Sequence, residues 1–242
     1  MTETSKTQLE QETRAFEQMK FRLGDNGMAL LEGQLQTWAE LNGRQIESPL
    51  RAALAQGDTR LPEGTLLHGM GMYGFSAEAV RGVSDKGILS GELVGVTEDS
   101  ETHGCADFFR VPGDTTIGDY FALAKEPVVS GDVTRQRGER LLTRGVAFIV
   151  DAQAEGMGRL LERDGYRDSE MADFVRPLSG RTAEDTAAII GGVPRGAIAG
   201  IVAGAKILEN PEIRAVLAEC FPDVPVFTRD GVAQRIHTFT SE

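Results

Sequence analysis

From residue 61 onward the apolar residues of this chain come in short runs, each closed by glycine, proline or a polar turn. Runs of this length are too short for amphipathic helices, which need roughly ten residues or more, and they suit strands of roughly four to eight. Gly145–Val150 is the clearest, a continuous apolar stretch of the kind a sheet buries on both faces. Thr65–His68, Phe108–Val111, Ala187–Ile190, Ala197–Val202 and Pro225–Phe227 are further strand candidates. Between them lie a few helical pieces. One is capped by Ser76 and stopped by Gly87; another runs from Pro211 to Ala218 behind an Asn210 cap. Glycine supplies the turns: 29 of 242 residues, about 12% against a usual value of roughly 7%. Short strands with intervening helices, and no regular alternation of the two, predict an α+β fold rather than a doubly wound sheet.

The N-terminal quarter has a different texture. Leu9, Phe16, Met19 and Leu23 recur at helical spacing among Glu, Gln and Arg. After a Gly24-Asp25-Asn26-Gly27 turn, Ala29, Leu30, Leu31, Leu35, Trp38 and Leu41 repeat the pattern, and Pro49–Ala55 forms a third short helix. The expected organisation is a helical N-terminal extension or lid over residues 1–58 and an α+β domain over 59–242.

The charge balance narrows the partners. With 25 Lys+Arg against 37 Asp+Glu the formal net charge is −12, which argues against a scaffold that binds nucleic acid by broad phosphate neutralisation. Cys105 and Cys220 sit 115 residues apart without framework spacing and are expected as reduced thiols. Met1-Thr-Glu-Thr-Ser-Lys6 is followed by polar sequence with no apolar segment of the Sec-type signal. The longest apolar stretch, Ala197 to Leu208, is broken by Gly200, Gly204 and Lys206 and cannot span a bilayer. The expectation is a soluble, cytoplasmic protein, or one delivered into a target cell without such a signal, with no membrane partner. Oligomeric state leaves no mark in the sequence.

Four segments are candidates for chemistry. Gly69-Met-Gly-Met-Tyr-Gly74 has the spacing of a dinucleotide-binding loop, with Glu92 as the ribose acid, and would suit a nicotinamide-dependent oxidoreductase. Against it, the Ser76 cap starts the helix after the third glycine, and no regular βαβ units come after it. Thr134-Arg-Gln-Arg-Gly-Glu-Arg140 with Arg144 gathers arginines on an acidic chain; Arg135 and Arg137 are candidate ligands for a pyrophosphate, because guanidinium forks match phosphate oxygens. His103, Cys105 and Asp107 alternate along one strand, but no second ligand pair stands at metal spacing, so no metal is expected. The stretch Asp151–Asp173 holds seven carboxylates among three arginines and reads as an exposed helix and loop, or as an insertion that shapes a partner site.

The order of several motifs resembles the ADP-ribosyltransferase superfamily, in its poly-ADP-ribose-polymerase-like and toxin-like branches, over about residues 61–229. Leu66-Leu67-His68-Gly69 is similar to its strand ending in His-Gly, followed by a helix and a Gly87-Ile88-Leu89 exit. Gly118-Asp119-Tyr120-Phe121-Ala122 is similar to its Tyr-Phe-Ala strand. Glu184-Asp185-Thr186 before Gly191-Gly192-Val193-Pro194 and Ile198–Val202 is similar to its closing strand pair, although threonine stands where the family's glutamate is expected. The resemblance implies a split, mainly antiparallel β core and NAD as substrate. It implies that His68 holds a ribose hydroxyl and that the backbone of Gly69 pairs with the nicotinamide amide, with Gly71 in the same loop. Tyr120, with Phe121 beside it, or Tyr73, would stack on the ring, and Glu184 or Asp185 would stabilise the transition state. The implied activity is transfer of ADP-ribose to a macromolecular acceptor, protein or nucleic acid, with nicotinamide released. The alternatives are the oxidoreductase on the 69–74 loop and a catalytically inactive transferase-like binding module.

Overall fold

The computed structural model describes residues 46–70, 76–89, 105–111, 113–122, 145–152 and 186–234, with 154, 160–161, 236 and scattered positions between 13 and 36. The described strands form one eight-stranded sheet and two small two-stranded sheets. In chain order the strands are β1 (Arg60–Leu61), β2 (Leu66–Met70), β3 (Ile88–Leu89), β4 (Cys105–Arg110), β5 (Thr115–Thr116), β6 (Val146–Val150), β7 (Leu160–Leu161), β8 (Thr186–Ile190), β9 (Gly192–Val193), β10 (Ile198–Ala203), β11 (Val226–Thr228) and β12 (Ala233–Gln234). The large sheet has the order β12-β11-β10-β6-β2-β4-β8-β7. Only β10 and β11 run parallel among its described pairs. The fold is α+β, as the short apolar runs predict.

The helices are α1 (Pro49–Ala55), α2 (Ala77–Lys86), α3 (Ile117–Ala122), α4 (Ala205–Glu209) and α5 (Pro211–Cys220). Polar side chains start three of them. Ser48 accepts from the Arg51 N–H, Ser76 from the Ala79 N–H, and Asn210 from the N–H groups of Glu212 and Ile213. Each satisfies a donor that the first helical turn leaves unpaired. α2 ends at Gly87, whose φ of +84° only glycine adopts without strain.

Strand β6 is central, and the two faces of the sheet can be read from its alternation. Val146, Phe148 and Val150 join Leu66, Phe108 and Ile201 in a core roofed by Val80 of α2 and by Val216 and Leu217 of α5. Ala147 and Ile149 join Leu67, Ala199 and Phe227 in a second core roofed by Leu50 and Leu54 of α1 and by Ile117 and Phe121 of α3. Both faces are therefore covered, which is why Gly145–Val150 carries no polar alternation.

Helix α1, within the extension expected over residues 1–58, packs on the sheet: Leu50 and Leu54 belong to the second core, and Ile46 to the first. Burial of these apolar side chains holds α1 there. Asp25, expected in a turn, is helical, as is every described position between 13 and 36. Met28 and Leu31 are buried there at helical spacing. No helix of the described residues is long and apolar enough to cross a membrane.

Candidate functional site

His68 and Gly69 lie in β2, where the sheet parts. Along its whole length β2 pairs with β6, from Leu66 opposite Val150 to Met70 opposite Val146. On its other side the register with β4 covers Leu66 with Arg110 and Leu67 with Phe109, and stops. Beyond that point β4 continues alongside β8, from Phe109 opposite Thr186 to Cys105 opposite Ile190. The described ladder therefore forks at His68. The Thr65 carbonyl accepts from the Val111 N–H at 2.9 Å, which fixes the edge that residues 65, 67 and 69 turn toward β4, since backbone groups alternate sides along a strand. Gly69 thus presents its N–H and C=O to the open side of the fork, and it brings no side chain to obstruct an approaching planar group.

The half-buried His68 side chain stands on the face of Leu66, and its ring centroid lies 5.5 Å from that of Phe108 at an interplanar angle of 54°. Phe108 is itself fully buried, so it buttresses one side of the imidazole. Strand β4 runs antiparallel to β2, so its first residues, Cys105 to Asp107, lie beside the Gly69 half of β2. The last residues of β8 lie there too and lead through Gly191 into β9.

That end of the sheet carries a second tight feature. Ile88 pairs with Val193 and Leu89 with Gly192, forming the β3–β9 ribbon. The Gly87-Ile88-Leu89 exit and the Gly191–Pro194 turn, separate in sequence, thus meet. Gly192 has φ +112°, and a Cβ on it would fall 1.9 Å from the Ile88 carbonyl oxygen. Only glycines permit this crossing.

Tyr120 and Phe121 are not at the fork. They lie on α3, a helix, where a Tyr-Phe-Ala strand is expected. Thr116 starts that helix: its hydroxyl accepts from the Asp119 N–H and donates to the Asp119 carboxylate. Ile117 and Phe121, four residues apart, then face the core of Leu67 and Ile149, and Tyr120 packs edge-on against Phe121 at 5.2 Å. His68 belongs to the other face. Tyr120 and Phe121 thus pack against the second core, on the face of the sheet opposite His68 and Phe108.

Gly71 and Tyr73, Glu184 and Asp185, Arg135 and Arg137, and also Glu92 and His103, lie outside the described residues, as do the side chains of Cys105 and Asp107. The neighbour of Asp185 is placed: Thr186 opens β8 opposite Phe109, which is opposite Leu67. Two strand spacings sideways and one residue along put Thr186 roughly 10 Å from His68. Among the described residues no group of three His, Cys, Asp or Glu side chains is placed to hold a metal ion. Cys220 is a buried free thiol, and burial pushes its pKa up.

Sequence reasoning missed Phe108 as the aromatic beside His68. The signal was available only through the β2–β4 register, which puts Phe108 rather than Phe109 on the histidine's face. The dinucleotide-loop reading loses its frame: β2 is flanked by antiparallel strands on both sides, whereas that loop belongs after a strand of a parallel sheet. Comparison with family models, with curated proteins and with solved structures finds no match.

Proposed function

We propose that the chain binds NAD at the fork of the sheet and transfers its ADP-ribose to a macromolecular acceptor, releasing nicotinamide. The observation that supports this reading is the parting of β4 from β2 just where His68 and Gly69 stand. A strand edge with a side-chain-free residue offers a donor and an acceptor in one plane, which is what a carboxamide requires. In this reading Gly69 holds the nicotinamide amide through its backbone. His68, oriented by Phe108, holds a ribose hydroxyl.

The reaction balances without a metal or a redox partner. The bond between C1′ of the ribose and the ring nitrogen breaks, and its electron pair passes to the pyridinium, which leaves as neutral nicotinamide. The acceptor's nucleophile forms the new bond to C1′ and gives up its proton. Positioning and fixed electrostatics supply the acceleration. Glu184 or Asp185, immediately before β8, is the carboxylate proposed to face the developing positive charge, and Tyr73 is the aromatic left to stack on the ring. The acceptor is protein or nucleic acid, and the arginines at 135 and 137 are the proposed pyrophosphate ligands.

Thr186 at the head of β8, where the resemblance expects glutamate, favours a second reading: a transferase-like module that binds NAD without turning it over. One experiment separates the two. The protein is incubated with NAD labelled in the adenylate part and a cell lysate, beside His68→Ala and Glu184→Ala/Asp185→Ala variants. Label carried onto macromolecules by the native protein and lost in the variants supports transfer. NAD binding without label transfer supports the binding module. Absence of both overturns the assignment.

A further inference from the structure

The turn after α5 gathers two guanidinium groups from distant parts of the chain. Arg51, on α1, is a buried charge at 7% exposure, and its Nη2 donates to the Asp223 carbonyl at 3.4 Å. Arg195, from the single-turn 3-10 helix Arg195–Ala197, donates to the Cys220 carbonyl at 2.9 Å, and its guanidinium carbon stands 5.5 Å from the centre of the Phe221 ring. Each guanidinium has five N–H donors, and these two bonds are the hydrogen bonds that the two side chains make with the described residues. The Cys220 carbonyl is shared further, since the Ser84 hydroxyl also donates to it at 2.9 Å.

The helix C-terminus offers these arginines partial negative charge, and the bonds to it engage one donor of each guanidinium. Burial and the neighbouring Arg195 both hold the Arg51 guanidinium below its usual pKa, and the Asp223 carboxylate acts in the opposite sense. Two like charges brought together with spare donors, one of them out of water, are a costly arrangement unless a further anion joins them. A dianionic head compensates both charges, whereas a carboxylate compensates one. Its tetrahedral oxygens also accept paired N–H groups from two directions.

We propose that Arg51 and Arg195 form a phosphate-binding site, which takes free phosphate or the phosphate monoester of a small molecule. It is separate from the fork. Arg195 leads into Ile198, which is opposite Val150 at one end of β6, whereas His68 and Gly69 are opposite Phe148 and Ala147. Ile198 is thus about 7–10 Å from the fork along the strand direction at the usual rise per residue, and Arg195 precedes it by three residues. The inference therefore does not rest on NAD chemistry.

The test is thermal unfolding of the full chain in rising inorganic phosphate, against sodium chloride of equal ionic strength, with adenosine monophosphate and adenosine as a second pair of probes. The native protein is expected to gain in midpoint with phosphate and with the monophosphate, and not with adenosine. Arg195→Gln, whose side chain is only partly buried, is expected to bind phosphate about tenfold more weakly, the loss of one charge-assisted contact. Arg51→Gln should do the same where it folds. His68→Ala should keep the full response. No gain over chloride in the native protein, an undiminished gain in Arg195→Gln, or loss of the gain in His68→Ala would overturn the site.

Discussion

A β-carbon on Gly87 would lie 2.2 Å from the carbonyl oxygen of Val193. The reciprocal constraint at Gly192 makes the β3–β9 crossing a contact of two bare backbones, each at positive φ. Gly87→Ala and Gly192→Ala are each expected to destabilise the protein by about 3 kcal/mol or more, from backbone strain and overpacking together. Gly82, inside α2 with open space around it, is the control: Gly82→Ala should stabilise by about 0.5–1 kcal/mol. Chemical denaturation of the three variants measures both signs.

Gly69→Val tests the fork. A β-branched residue suits a strand, so the unfolding midpoint should stay close to native while NAD affinity falls about tenfold or more through the blocked amide position. Tyr120→Leu, on the opposite face, should leave NAD affinity unchanged. Equilibrium binding of NAD to both variants decides, and equal loss in the two would contradict the placement of the site.

Ser48 has two tasks at once. Its hydroxyl caps α1 by accepting from Arg51, and it donates to the buried Asp151 carboxylate at 2.5 Å. Ser48→Ala removes the cap and takes a donor from a carboxylate shielded from water. The expected loss is about 2–3 kcal/mol. Ser48→Thr, which keeps the hydroxyl, should recover most of it in the same unfolding measurement.

Cys220 gives a pH dependence. Burial holds its thiol pKa above the ordinary range, so the unfolded chain ionises at a lower pH than the folded one. Above the ordinary thiol pKa the unfolded state then binds fewer protons, and stability falls as pH rises. Cys220→Ala should flatten this alkaline decline relative to the native protein. Slow reaction of Cys220 with a thiol reagent at neutral pH, accelerated by denaturant, is the companion measurement.

Much of the secondary structure was legible because it rests on local chemistry. The caps at Ser76 and Asn210, the Pro49 start of α1 and the uninterrupted Val146–Val150 run each declare themselves within a few residues. Two-residue strands such as β1, β5 and β12 leave no periodicity to read. Tyr120 lies on a helix where likeness to a Tyr-Phe-Ala strand predicts a strand, and the deciding signal was the Thr116 hydroxyl and its Asp119 partner. The fork itself depends on where β4 leaves β2 for β8, and such non-local pairing has no counterpart in the order of residues. The Arg51–Arg195 pair was hidden for the same reason: 144 positions separate two side chains that meet at one turn.

The seat of α1 on the sheet bears on how the chain can be divided. Gly200 is bare, and a Cβ there would come within 3.0 Å of the Leu54 side chain and 3.2 Å of Ile149; that glycine is the socket in which the helix rests. A fragment trimmed to begin at residue 59 would open this socket to water, together with Ala199, Ile149 and Phe227. It would be expected to aggregate through that exposed apolar face, whereas one beginning ahead of Ile46 keeps the socket filled.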